Sequence, residues 1–164
     1  MKVMCNTSPI IGLLSIKRFS LLWELFEEVI IPQAVYEELC VENEEYKQEI
    51  QEIKTSVSQG KISVYQVKNS QMVKAMYGKL HYGELEVIVG AKELDLSVAI
   101  IDEIAARKMA AEFLIDTIGI MGVLFMAKKR GIMKEIRPDM ELLRKNGYRI
   151  SDKLFEEILR KAGE

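Results

Sequence analysis

The sequence is poor in histidine, proline and tryptophan, and it contains two cysteines. Because His81 is the one histidine, a histidine-based zinc site and a histidine-centred catalytic triad are not expected. Cys5 and Cys40 form no CxxC motif and lie in no Cys/His cluster, so we interpret both as buried thiols. No apolar run approaches the roughly 18 residues of a membrane span, and the N-terminus has no signal-like segment. We therefore expect a cytoplasmic protein that does not contact a membrane.

Internal repeats, low-complexity segments and long linkers are also missing, and the length suits one domain spanning residues 1–164. Short apolar runs alternate along the chain with segments of helical periodicity. The predicted strands are 2–5, 29–31, 62–67, 97–101 and 114–115. The predicted helices begin at Ser8, near residue 21 and at Pro32, and continue with 83–94, 103–113 and 119–129, C-terminal helices within 134–164, and a polar helical arm at 42–58.

Alternation of strands and helices predicts an α/β fold, namely a three-layer α/β/α sandwich with a central parallel sheet. In such sheets ligands bind beyond the carboxyl ends of the strands. Asn6, Asp102 and Asp116 each follow a predicted strand, so we expect their side chains at one edge. As single residues, all three could equally serve as helix caps or turn formers.

Two predicted helices add carboxylates to this edge. On the helix after Pro32, the 100° rotation per residue places Glu38 beside the apolar face and Glu37 towards water. Glu84 lies in the first turn of the helix that begins at Gly83, where the helix dipole alone would also favour an acid. Several carboxylates repel one another unless a cation joins them, and oxygen ligands favour Mg²⁺ or Mn²⁺.

Charge is unevenly distributed along the chain. Residues 1–102 contain 10 Lys and Arg against 15 Asp and Glu, whereas residues 103–164 contain 13 against 10. A phosphate backbone would therefore meet the second part of the chain, although such clusters are more commonly solvated helix faces. The cations concerned are Arg107, Lys108, Lys128, Lys129 and Arg130.

Other α/β folds with acidic or phosphate-binding sites lack their motifs here. Asn6-Thr7-Ser8 follows the first strand where a haloacid-dehalogenase-type phosphatase requires Asp-x-Asp. A response-regulator receiver requires an acidic pair there, and a dinucleotide-binding fold requires GxGxxG. Neither pattern is present.

The order and spacing of several short motifs resemble PIN-domain proteins over nearly the whole chain, in particular a prokaryotic branch grouped with VapC-type toxin nucleases. The matching segments are residues 5–11 (CNTSPII), 31–39 (IPQAVYEEL), 83–86 (GELE), 100–107 (IIDEIAAR), 119–131 (GIMGVL with AK and G) and 147–151 (GYRIS). The resemblance implies a PIN-like, Rossmann-like topology and a metal-dependent ribonuclease. It also implies the toxin of a toxin–antitoxin pair, with a small antitoxin and a homodimer as partners.

By the same resemblance, the family's acidic positions fall on Asn6, Glu38, Glu84 and Asp102, and its spacing favours Glu84 over Glu86. Glu38, Glu84 and Asp102 would be catalytic and would bind the Mg²⁺ or Mn²⁺ ion, with Asn6 and Asp116 as further ligands. The residues expected to contact RNA are Thr7, Ser8, Arg107 and Lys128.

Asn6 departs from the family pattern, because active PIN nucleases usually carry Asp at this position. An amide oxygen still ligates a metal ion but contributes no negative charge, which weakens the attraction by a few kcal/mol at intermediate dielectric, an order-of-magnitude figure. Two hypotheses follow: a metal-dependent ribonuclease, or a catalytically weak PIN-like domain that binds RNA or a protein partner.

Overall fold

Five parallel strands form the central sheet of the computed structural model, which describes residues 1–164. The strands are β1 (Lys2–Cys5), β2 (Glu28–Pro32), β3 (Ile62–Tyr65), β4 (Val98–Ile100) and β5 (Asp116–Ile118). Their order across the sheet is β3-β2-β1-β4-β5. In the register, Met4 aligns with Ile30 on one side and with Ala99 on the other.

Helices flank the sheet and confirm the predicted three-layer α/β/α sandwich. They are α1 (Thr7–Ser15), α2 (Leu21–Leu25), α3 (Gln33–Leu39), α4 (Lys47–Ser58), α5 (Ser70–Met76), α6 (Tyr82–Glu93), α7 (Ile104–Glu112), α8 (Ile120–Lys129), α9 (Arg137–Lys145) and α10 (Asp152–Ala162). A short 3₁₀ helix, Glu44–Tyr46, precedes α4. None of these helices has the length and apolarity needed to cross a membrane.

Strand β1 is the point at which the strand order reverses. The chain first builds the sheet outwards from β1 to β2 and β3, and then returns to place β4 and β5 on the other side of β1. The pairing of β1 with β4 continues just past the strand, because the backbone N–H of Asn6 donates to the carbonyl of Ile100 at 3.0 Å. Crevices at such switch points are where open α/β sheets bind ligands.

The strands at the centre of the sheet are apolar on both faces. Val3, Met4 and Cys5 of β1 are fully buried, and Val29 and Ile31 of β2 are equally inaccessible. This burial explains why the strands appear in the sequence as continuous apolar runs, since a parallel sheet covered by helices has no solvent face. One hydrophobic cluster runs through the molecule, from Val3 to Leu159.

The polar segment 42–58, which was predicted to be a helical arm, packs against the sheet. Ile53 of α4 is 2% exposed, and Ser56 on the same helix is also buried. Helix α4 contacts β3 through this side, so the charged residues of the segment form its outer face. At the other end of the chain, Phe155 and Leu159 anchor α10 in the core.

Two of the wrongly predicted boundaries affect the site. Helix α1 begins at Thr7, so Asn6 rather than Ser8 occupies the N-cap position. The last strand is not 114–115, because Leu114 has a left-handed backbone (φ 58°) and is 86% exposed. The strand begins instead at Asp116, which pairs with Val98 at the start of β4.

Candidate functional site at the carboxyl ends of the strands

Polar residues gather at the carboxyl end of the sheet, around the switch point of β1. We call Asn6, Glu38, Glu84, Asp102 and Glu103 the strand-end site. Asn6 follows β1 directly, and Asp102 and Glu103 lie between β4 and α7. Glu38 projects from α3, and Glu84 lies in the first turn of α6. Helices α3 and α6 pack against each other, which brings their acidic residues to the same edge.

Asn6 is buried and is fixed by a carboxylate. Its side chain makes no helix-capping hydrogen bond, although the residue occupies the N-cap position of α1. Instead its Nδ2 donates to Glu103 Oε2 at 3.1 Å. The hydroxyl of Ser8 donates to the other carboxylate oxygen of Glu103. Glu103 therefore holds the first turn of α1 in place, and it orients the amide oxygen of Asn6.

Glu38 is exposed, and its carboxylate lies against the start of α6. One of its carboxylate oxygens accepts a hydrogen bond from the Thr7 hydroxyl. The other oxygen would clash with a Cβ atom at Gly83. Any side chain at Gly83 would displace this carboxylate, so the glycine creates the space that Glu38 occupies. Glu37 faces outwards and accepts a hydrogen bond from Gln33.

Glu84 and Glu86 differ in the backbone groups that they bind. Glu84 Oε2 accepts from the backbone N–H of His81 at 3.0 Å, so its carboxylate closes the N-terminus of its own helix. Glu86 Oε2 accepts from the backbone N–H of Ala34 at 3.0 Å and thereby links α6 to the start of α3. Glu84 thus stabilises the start of α6, where the helix dipole also favours an acid.

Asp102 is held by two donors from the C-terminal half of the chain. Its Oδ1 accepts from the backbone N–H of Ile120 at 2.9 Å, and its Oδ2 accepts from the Tyr148 hydroxyl. Burial raises the pKa of the Asp102 carboxyl above its ordinary value, and these hydrogen bonds offset only part of the effect. Burial and the Asp102 carboxylate raise the pKa of Tyr148, so the phenol stays protonated and donates.

Of the four residues predicted to bind RNA, three lie at or near the site and one lies away from it. Thr7 and Ser8 lie at the site but donate their hydroxyl protons to Glu38 and Glu103. Arg107 also lies close by, where its Nε donates to Thr117 at 3.1 Å. Lys128 lies at the far end of α8, roughly 12 Å along the helix axis from its first residue, and its ammonium group pairs with Glu164 at 2.8 Å. Lys128 therefore lies outside the candidate site.

Asp116 also lies far from the site, at the other edge of the sheet. It was predicted to lie at the site because the last strand was expected to end before it, whereas it is the first residue of β5. Its register partner Val98 is the first residue of β4. Asp116 thus lies at the amino edge of the sheet, on the opposite side from Asp102, and it is exposed.

A metal ion would have to be held by few protein ligands. No three His, Cys, Asp or Glu side chains lie close enough together to hold an ion by themselves, so the predicted ligands do not converge directly. However, the carboxylates of the strand-end site form no ion pair with any Lys or Arg, unlike Asp139, Asp152 and Glu164 elsewhere. Uncompensated carboxylates fit Mg²⁺, which commonly keeps several waters and uses one or two carboxylates plus substrate phosphates.

Glu103 and Tyr148 are the site residues that the sequence interpretation missed. Glu103 had a local signal, because it follows Asp102 directly and precedes α7. Tyr148 lies in the segment GYRIS that carries part of the resemblance, but no local pattern linked it to Asp102, since this contact spans 46 residues and depends on how the C-terminal segment folds back. Cys5 lies beneath the site, where burial raises the pKa of its thiol, so it is an unreactive part of the core.

A comparison with models of known protein families identifies the family of this chain. The family model DUF3368, described as PIN domain, matches residues 2–164, and the chain therefore belongs to this family of PIN domains. Membership indicates nuclease activity as the general class, with RNA as the substrate class and divalent ions as the usual cofactors. Neither the curated proteins nor the solved structures give a match to the chain.

The raised pKa of Asp102 predicts an unusual effect on stability. Because the folded state binds this proton more tightly than the unfolded state, the free energy of unfolding falls as pH rises from the ordinary Asp range through the raised pKa. Asp102→Asn removes this dependence, and its amide can still accept from Ile120 and donate to Tyr148. We expect the variant to have a higher Tm than the wild type at neutral pH, with the difference disappearing towards pH 3.

The control for this measurement is Asp116→Asn, which makes the same chemical change at an exposed position. Its thermal unfolding should follow that of the wild type across the pH range. A lower Tm for Asp102→Asn at neutral pH would contradict the interpretation, because the ionised carboxylate would then stabilise the fold.

Proposed function

We propose that the protein is a metal-dependent ribonuclease that cleaves RNA phosphodiester bonds at the strand-end site. The observation that supports this most strongly is that Glu38 and Asp102 both lie at the carboxyl end of the sheet of a PIN fold, around its switch point, and that neither forms an ion pair with a Lys or Arg. Carboxylates without an ion pair attract a cation, and oxygen donors favour Mg²⁺ or Mn²⁺. When bound, the ion would lower the pKa of a water and neutralise charge on the phosphate.

The protein's own residues would fix the positions of the groups that surround the ion. Tyr148 and the backbone of Ile120 orient Asp102, and Thr7 orients Glu38. These donors are neutral, so they hold the carboxylates without cancelling their charge. The amide oxygen of Asn6 would be a neutral ligand for the ion or for its water.

Arg107 would bind the phosphate backbone on the side of the site away from Glu38. Its guanidinium is anchored by Thr117 and lies beside Gly119, next to Asp102. An arginine with free donors at this position can bind a phosphate oxygen and hold the RNA in register, without reading its sequence. Glu84, at the start of α6, would contribute a further acidic group on the other side.

The proposal includes the biological role that the resemblance to VapC-type nucleases implies. In this role the protein is the toxin of a toxin–antitoxin pair, forms a homodimer, and is inhibited by a small antitoxin protein. The family supports the general nuclease class, and these partners are the finer part of the proposal.

Cleavage of single-stranded RNA in Mn²⁺ tests the function directly. We expect the wild type to cut an RNA panel in Mn²⁺ and to stop when EDTA is added. Asp102→Asn and Glu38→Gln should each lower the rate by on the order of 100-fold, because each removes a charge from the site. The matched control, Asp116→Asn, should keep the wild-type rate. Equal rates for Asp102→Asn and the wild type would reject the mechanism.

A second candidate function is a catalytically weak PIN-like domain that binds RNA or a protein partner. It is favoured by the contact between Asn6 and Glu103, in which the amide is a hydrogen-bond donor at 3.1 Å. An aspartate could not make this bond, since two carboxylates at that distance repel each other unless they share a proton or a cation. Asn6 is thus adapted to a site that is stable without a metal ion.

Asn6→Asp distinguishes the two functions. For a weak domain, restoring the charge should create or greatly raise Mn²⁺ binding, and it should lower the Tm in EDTA because the new carboxylate faces Glu103. Adding Mn²⁺ should then raise the Tm of this variant far more than that of the wild type, in a thermal shift assay. Asn69→Asp, at the exposed N-cap of α5, is the control for the charge change. If Asn6→Asp gains no Mn²⁺ affinity, the weak-domain hypothesis loses its support.

A further inference from the structure

A cavity of about 440 Å³ opens beside Asp102, between α8 and the C-terminal segment that contains Tyr148. Its size is within the range of small-molecule sites in proteins. Aliphatic side chains and the ring of Phe125 form most of the wall, and Arg107 and Arg149 lie on its rim. Since Asp102 lines both this cavity and the strand-end site, the two are continuous.

The cations at this cavity are free to bind an anion. Neither Arg107 nor Arg149 forms an ion pair, and Arg149 has no hydrogen-bond partner within the protein. A third positive charge is close, because Lys129 Nζ lies 5.8 Å from the centre of the Phe125 ring. Unpaired cations around an apolar, aromatic wall are the combination that binds single-stranded nucleic acid.

The cavity on the opposite side of the site has the reverse character. It measures about 380 Å³ and is lined by Glu38 and Glu49, with no Lys or Arg in its wall. An RNA backbone would be repelled there, whereas it would be attracted on the side of α8. Charge therefore favours one direction for a strand that leaves the strand-end site.

We propose that the cavity beside α8 is a nucleotide subsite, in which an unpaired RNA base packs against Phe125. The phosphates on either side of this nucleotide bind Arg107 and Arg149. The inference rests on the proposed ribonuclease function, since it names where the nucleotide next to the reacting phosphate is held. Apolar walls with cations at the rim would make the subsite tolerant of base identity, because every base has a face that can stack.

Binding of a fluorescein-labelled 12-nucleotide single-stranded RNA to Asp102→Asn protein in EDTA tests the subsite without cleavage. In this background, Arg149→Gln should weaken binding about 5-fold and reduce the slope of log K against log salt by about 0.7. Phe125→Ala should weaken binding about 10-fold, and Phe125→Tyr should restore it, because the ring and not its exact chemistry is required. Arg149→Gln is exposed, so it keeps the test decisive if Phe125→Ala fails to fold.

Arg160→Gln is the matched control, an exposed arginine of α10 outside the cavity, and it should bind RNA as the parent protein does. Three results would overturn the subsite: parental affinity for both cavity variants, an equal loss for Arg160→Gln, or a changed oligomeric state of Phe125→Ala with unchanged RNA affinity. The last result would assign the face to a second copy of the chain. RNA that binds as predicted but is never cleaved by the wild type in Mn²⁺ would count against the ribonuclease alone.

Discussion

The parallel pairing of β1 with β2 on one side and with β4 on the other is the constraint on which the site depends. Because the strand order reverses there, the loops after β1 and β4 leave the sheet in different directions and open a crevice between them. Asn6 and Asp102 follow these two strands and lie at the crevice. The helices α3 and α6 complete the crevice, with Gly83 leaving room for the Glu38 carboxylate.

Electrostatics then determines what the crevice can do. The carboxylates are held by neutral donors, namely Thr7, Ser8, Asn6, Tyr148 and the backbone of Ile120, and by no cation. Neutral donors fix the geometry while the negative charge persists, so the site retains an affinity for an external cation. The raised pKa of Asp102 is a further sign of this arrangement, because burial disfavours its charge and the hydrogen bonds and the nearby Arg107 offset only part of this effect.

The parts of the fold that depend on local pattern could be predicted from the sequence. Apolar runs identified four of the five strands, and helical rotation distinguished Glu38, which contacts Thr7 of α1, from Glu37, which contacts only Gln33 of its own helix. The prediction failed at β5, because Leu114 lies in a turn, Ile115 is buried ahead of the strand, and the strand begins at Asp116. Because of this two-residue error, Asp116 was predicted at the carboxyl edge of the sheet, whereas it lies at the amino edge. The contact of Tyr148 with Asp102 could not be predicted, because it arises from tertiary packing across 46 residues.

An anomalous difference map from crystals soaked in millimolar Mn²⁺ tests the central claim most directly. The account predicts one strong peak in the crevice between β1 and β4, ligated by Asp102 or bridged to it through water, with Asn6 and Glu38 around it. A crevice without a peak, or a peak held only by carboxylates elsewhere on the surface, would contradict it.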